Sequence, residues 1–295
     1  MSSLQAKVTL KILQLSAYSW AVGSIPEQRA RLERLTALLR ITKDVRITPA
    51  NAAGVRAELI VPSGARRGII LYLHGGAYAL GSPRMHREFL SRLAKTCRRQ
   101  VLSLDYRLAP EHPFPTALED CLSAYDWLLS QGFAASEIAL AGDSAGGGLA
   151  AAALLALRDG QKAMPACAVC ISPWLDLSAL PVKIGVQDPV LNQEILDTYA
   201  KAYAGDNDPA NPLISPLLAD LRGLPLINIQ AGEHEILLEQ SKQFLEKARQ
   251  AGVEIRLDCW PGMFHVFQMV PILPESRRSL KKIAAFLNEN IDRTS

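Results

Sequence analysis

Gly142-Asp143-Ser144-Ala145-Gly146 follows an apolar run at 137–141 and leads straight into an alanine-rich helical stretch at 145–158. The chain must turn there from strand to helix within about one residue, which strains the central serine and leaves no room for side chains on its flanks. Ser144 is therefore a candidate nucleophile, its hydroxyl lifted above a sheet at the positive end of a helix. A glycine-rich turn or phosphate loop is the competing reading. Against it, the sequence lacks the Walker lysine and the spacing of a dinucleotide fingerprint.

Working outward, strand-like runs occupy 45–48, 57–61, 68–73 and 101–105, with a helix at 85–96. A helix at 116–129, the strand at 137–141, the helix at 145–158 and a strand at 166–171 then alternate. Alternation of this kind predicts an α/β fold, a mostly parallel sheet with helices on both faces. It is interrupted between 172 and 224 by a proline-rich stretch around one helix at 192–204, too long for a simple crossover. It resumes with strands at 226–230 and 254–260 and helices at 236–250 and 276–290. At the other end Leu4, Val8, Ile12 and Leu15, then Leu32, Leu35 and Leu39, recur at helical spacing, broken by Gly23 and Pro26. That spacing predicts a pair of amphipathic helices.

Composition narrows the function. The 295 residues are 49% apolar, 21% charged and 6% aromatic, a profile of a soluble globular protein. With 32 Lys and Arg against 29 Asp and Glu, the net charge of +3 is too balanced for a nucleic-acid-binding stripe. No run of about 20 apolar residues supports a membrane span. Residues 12–23 behind Lys7 and Lys11 faintly suggest a signal segment, but Gln14, Ser16, Tyr18 and Ser19 dilute it; the chain is read as mature and cytoplasmic. The odd, scattered set Cys97, Cys121, Cys167, Cys170 and Cys259 points to a reducing compartment. Cys167 and Cys170 fall on opposite faces of a strand, and five dispersed histidines offer no ligand spacing, so no metal site is expected.

Two further motifs carry chemistry. His74-Gly75-Gly76-Ala77 follows the strand at 68–73 and has the form of an oxyanion loop, where glycines let backbone N–H groups approach a substrate oxygen. Gly75, Gly76 and Ala145 are the expected donors. His74 is read as orienting the loop, since it precedes the serine by a whole βαβ unit. His265, in Gly262-Met263-Phe264-His265, lies just past the last strand. A neutral imidazole there can take the hydroxyl proton and return it to a leaving group.

Residues 74–77, the stretch Asp105-Tyr106-Arg107-Leu108-Ala109-Pro110-Glu111-His112-Pro113-Phe114-Pro115 and residues 142–147 together resemble the bacterial hormone-sensitive-lipase-like (family IV) esterases of the α/β-hydrolase superfamily. The resemblance runs from about residue 45 to the C-terminus. It implies an eight-stranded sheet whose catalytic domain comes in two parts, 43–177 and 219–295. Over it would lie a helical cap made of the N-terminal helices, 1–42, and an insertion, 178–218. Hydrolysis of short-chain carboxylic esters through an acyl-enzyme, a small-molecule ester as substrate, no metal or organic cofactor, and a homodimer paired through the last strand and helix are also implied.

Two departures stand out. Ala77 replaces a usual third glycine; it keeps the N–H and fits the motif provided its dihedrals are not left-handed. Family members also commonly place an aspartate about 30 residues before the histidine, but residues 232–239 contain none. Glu235 is the preferred triad acid, with Glu233 and Glu239 the alternatives; a carboxylate is needed to fix the imidazole tautomer and stabilise its protonated form. Asp105, Arg107 and Glu111 are read as structural ion pairs, and Asp143 as a brace for the elbow. Tyr78, Tyr106 and Trp174 are candidates for lining an acyl pocket, with core packing the alternative. Lactone or amide hydrolysis by the same machinery, and a catalytically silent ligand-binding relative, are the competing functions.

Overall fold

The structure is a computed structural model and describes residues 2–178 and 188–292. Its strands are β1 (Val45–Ala52), β2 (Val55–Pro62), β3 (Ile69–Leu73), β4 (Gln100–Leu104), β5 (Ile138–Asp143), β6 (Cys167–Ile171), β7 (Ile227–Gly232) and β8 (Ile255–Trp260). They form one eight-stranded sheet in the order β1-β2-β4-β3-β5-β6-β7-β8. Its two outer pairings, β1–β2 and β2–β4, are antiparallel, and every pairing from β4 to β8 is parallel. The fully buried β3, β5 and β6 are near-continuous apolar runs because helices cover both of their faces, while the equally buried β7 carries Asn228 and Gln230, which hydrogen-bond to each other and to Asp258. On one face α3 (Pro83–Cys97) and α8 (Pro274–Asp292) pack Phe89, Leu93, Ile283 and Leu287 against Ile70, Ala139 and Val169. On the other lie α4 (Thr116–Ser130), α5 (Ala145–Asp159) and α7 (Leu238–Gln250). Cys167 and Cys170 join these two separate cores, as period-two alternation requires.

The remaining helices, α1 (Leu4–Leu15), α2 (Ile25–Thr36) and α6 (Gln193–Ala204), supply Leu13, Leu32 and Leu196 to a cavity at the carboxyl ends of β3 and β5. Ser24 caps α2 through a reciprocal bond with Glu27, and Pro26 sits in its first turn, so the predicted break begins a helix. Part of the expected cap insertion, 179–187, lies outside the described residues.

Two local differences from the sequence reading have physical causes. β1 and β2 extend to a two-residue turn, Ala53 (φ 53°) and Gly54 (φ 93°). Such a turn needs positive φ at both positions, which an alanine conceals. Pro49 inside β1 also hid it, and is tolerated because β1 is an edge strand. In α1 the regular stripe Leu4, Val8, Ile12 and Leu15 faces solvent, while Ala6, Leu10 and Leu13 pack on Met263, Phe264 and Phe267.

Candidate active site

β5 ends at Asp143 and α5 begins at Ala145, leaving Ser144 alone in the turn with φ 54° and ψ −121°. A side chain at Gly142 would run into the Gly146 carbonyl, and one at Gly146 into the Leu73 carbonyl, so both glycines are steric requirements. The strained conformation is held by backbone bonds on both sides, with Gly147 N–H also donating to the Ser144 carbonyl at 3.0 Å. Ser144 N–H donates to Ile171 O at 2.8 Å, and its carbonyl accepts from Gly148 at 3.1 Å and Trp174 at 3.0 Å.

His265, in the loop after β8, places Nε2 3.0 Å from Ser144 Oγ across 121 residues of chain. Its other nitrogen, Nδ1, faces Glu235 Oε2 at 3.5 Å. That exceeds an ordinary N–H···O bond, and such contacts shorten when the imidazole becomes charged. The alternatives point elsewhere. Glu233 accepts from Gly262 N–H at 2.8 Å, and Glu239 pairs with Lys242 at 3.5 Å on α7. Burial favours neutral His265, but Glu235, with Asp188 and Asp143 further off, outweighs it and lifts the imidazole above its usual value. Burial in turn raises the Glu235 carboxyl, opposed by His265.

Asp188 was not singled out by its sequence, yet it organises this corner. Its Oδ1 accepts from Val190 and Leu191 N–H and its Oδ2 from Ile236 N–H at 2.9 Å, which ties the insertion to the residue after Glu235. The Tyr18 hydroxyl donates to its carbonyl, adding the N-terminal segment to the same junction. Only its position beside a Pro-rich stretch could have hinted at this.

The oxyanion loop requires one correction. Gly75 N–H donates to Asp143 Oδ1 at 2.9 Å, so it is committed to the elbow and not directed at substrate. Among the described residues the N–H groups of Gly76 and Ala77 have no such partner, and both residues line the cavity. Ala145 N–H, the first of α5, likewise has no acceptor within its helix. Ala77 also departs from expectation. Its φ of 53° is left-handed, a conformation costing a non-glycine residue about 1 kcal/mol or more.

Behind the loop sits a buried polar cluster. Asp143 accepts from the Tyr72 hydroxyl at 2.8 Å and from Gly75, and lies 3.3 Å from His86 Nε2. Against burial, His86 holds Asp143 below the ordinary carboxylate value, and Asp143 lifts His86 above that of a free imidazole. His74 is wholly buried, stacks on Tyr106 at 4.3 Å and places Nδ1 2.8 Å from Gly75 O. Burial, helped by His86, depresses it to about 3, which keeps it neutral and suits a loop-orienting role.

Two of the three aromatic candidates are placed in the core. Tyr106 donates its hydroxyl to His74 O at 2.6 Å, and Tyr78 stacks on Tyr203 at 3.7 Å; neither lines the cavity around Ser144. Trp174 does line it. Asp105, Arg107 and Glu111 are paired with Arg56, Asp120 and Arg29. The cavity encloses about 340 Å³, with walls from Leu13, Leu32 and Leu39 on the cap side and Met85, Phe89 and Val270 on the sheet side. No cluster of metal-ligating side chains occurs among the described residues.

A family model described as alpha/beta hydrolase fold matches residues 70–269. An acetyl-hydrolase of Streptomyces hygroscopicus is 45% identical over 235 residues, 78% of this chain and 79% of that protein. An esterase of Acinetobacter venetianus is 39% identical over 88% of this chain and 87% of its own. Among solved structures, an esterase from the bacterial hormone-sensitive lipase family superposes with a TM-score of 0.93 at 40% identity, covering 99% of both chains.

Proposed function

Because the chain belongs to the α/β-hydrolase family, in its bacterial hormone-sensitive-lipase-like (family IV) branch, and is a carboxylesterase, we propose that it cleaves short-chain esters through an acyl-enzyme on Ser144. In this reading Ser144 Oγ attacks the ester carbonyl carbon while its proton passes to His265 Nε2. Glu235 stabilises the imidazolium, and the N–H groups of Gly76, Ala77 and Ala145 receive the negative charge that develops on the carbonyl oxygen. Collapse of the tetrahedral intermediate breaks the ester C–O bond, and His265 gives its proton to the departing alcohol. Water then attacks the acyl-enzyme with His265 again as base, releasing the carboxylic acid and restoring the serine.

The observation that carries this reading is the 3.0 Å approach of His265 Nε2 to an oxygen held in a strained turn. A cavity of about 340 Å³ supports small acyl groups, lying near the lower end of ligand-pocket volumes. Four of the five cysteines are buried free thiols, which supports a reducing, cytoplasmic setting. Replacing Ser144 by Ala should lower kcat for p-nitrophenyl butyrate by a factor on the order of 10⁴ or more and abolish stoichiometric labelling by a fluorophosphonate, with an unchanged circular dichroism spectrum. Undiminished turnover in the Ser144→Ala protein rules the mechanism out.

A further inference from the structure

α1 carries apolar residues on two opposite faces, and folding uses only one of them. Ala6, Leu10 and Leu13 pack against Met263, Phe264 and Phe267. Ser3 fixes the start of the helix, donating from N–H and hydroxyl to the Glu275 carboxylate at 2.7 and 2.8 Å. The opposite stripe, Leu4, Val8, Ile12 and Leu15, stays in water, Leu4 at 75% and Leu15 at 79% exposure. A helix that is apolar on both sides ordinarily has both sides covered. Leu35 and Leu38 at the end of α2 and just past it are likewise exposed, Leu38 at 84%. Leu39 beside them is exposed and also lines the cavity that contains Ser144.

Charge decides what covers this stripe. Residues 1–42 hold six Lys and Arg and two Glu, a net of +4; since the whole chain carries +3, the remaining residues carry −1. Within α1 the only charged residues are Lys7 and Lys11, both exposed and alongside the stripe. A second copy would bring the same positive segment against itself, which like-charge repulsion disfavours. An exposed apolar stripe flanked by lysines matches the interface of an anionic lipid surface, where side chains enter the acyl boundary and ammonium groups meet phosphates.

We propose that the outer face of α1, the stripe Leu4, Val8, Ile12 and Leu15 with Lys7 and Lys11 alongside, is a docking surface for anionic lipid. The surface lies apart from Ser144 and can be tested without reading hydrolysis.

Co-sedimentation with phosphatidylglycerol vesicles at low salt should retain the protein, and phosphatidylcholine vesicles should retain it far less. Each lysine is expected to account for about a five-fold change in affinity, so Lys7→Gln with Lys11→Gln lowers phosphatidylglycerol binding about 25-fold. Added salt should weaken binding in wild type more than in that variant. Val8→Ser with Ile12→Ser and Leu15→Ser should abolish binding while kcat/KM on a water-soluble acetate ester is unchanged, which shows that the fold survives. Lack of wild-type binding to phosphatidylglycerol, equal binding to both lipids, or undiminished binding by the triple serine variant each overturns the proposal. So does a solution dimer that the triple variant converts to monomer, because the stripe would then be covered by a second copy.

Discussion

Glu235 reaches His265 with one methylene more than the aspartate the family resemblance leads one to expect. With Oε2 already 3.5 Å from Nδ1, a shorter side chain cannot close the gap. Glu235→Asp should therefore lower kcat/KM despite restoring the usual residue, and Glu235→Gln should lower it further, by about 10² to 10⁴. The pH profile gives the sign. In the proposed mechanism His265 is the base only when neutral, and because Glu235 lifts its imidazole the acid limb of kcat/KM should lie above the usual imidazole range. Glu235→Gln removes the charge that lifts it, so the limb should move to lower pH; an unmoved limb sinks the assignment. Ala77 offers a separate test at the same scale. Its left-handed φ of 53° favours glycine, so Ala77→Gly should raise Tm by about 2 °C, after the entropy of an added glycine is set against the relieved strain. A lower Tm would show that the alanine methyl packs better than the strain costs.

At the scale of elements, α2 is latched to the rim of the site by one side chain. Arg29 donates to Ala79 O at 2.7 Å and to Ala109 O at 2.9 Å, and forks onto Glu111 at 2.8 Å through both terminal nitrogens. α2 carries Leu32 and leads to Leu39, both walls of the cavity. Arg29→Met keeps the length and loses the latch, so KM should rise several-fold while kcat stays within about two-fold, since no reacting atom is touched. A fall in kcat at constant KM in steady-state assays would instead place Arg29 in the chemistry. Elements of this kind show where sequence reading stops. The elbow, the histidine after β8 and the alternation were legible because each rests on local sterics or periodicity. Gly75 was misread as a donor because its N–H is claimed by Asp143, 68 residues away. Tyr78 and Tyr106 are placed in the core by stacking on Tyr203 and His74, contacts that no spacing announces. The outward stripe of α1 inverted its amphipathic reading, because a helix with two apolar faces gives no sign of which one the core selects.

Taken over the whole molecule, the histidines predict a stability optimum near pH 6.5. His74 is depressed to about 3, so between there and 6.5 the unfolded chain binds a proton that the folded protein refuses. Acidification therefore favours unfolding through His74, with a slope of about 0.7 kcal/mol per pH unit at 6.5 that approaches about 1.4 a pH unit lower. His86 and His265 are raised and act in the opposite window. Their stabilising contribution is complete below 6.5, where both states are protonated, and is lost as pH climbs through their folded values. Glu235 and Asp188, raised mainly by burial, take up protons in the folded state first and so flatten the acid slope further down. Asp143, held low by His86, adds a loss of stability only below its ordinary range. Urea midpoints measured from pH 5 to 9 should therefore rise to a maximum near 6.5 and fall on both sides. His86→Asn should flatten the alkaline side, because it removes one of the two raised imidazoles, and should change the acid side as well, because His86 helps to hold His74 and Asp143 low. A midpoint that is level between pH 5 and 6.5 in the wild type and also in Glu235→Gln would mean that His74 accepts a proton within the folded core, which its ring stack on Tyr106 and its contact with the Gly75 carbonyl leave no solvent to stabilise.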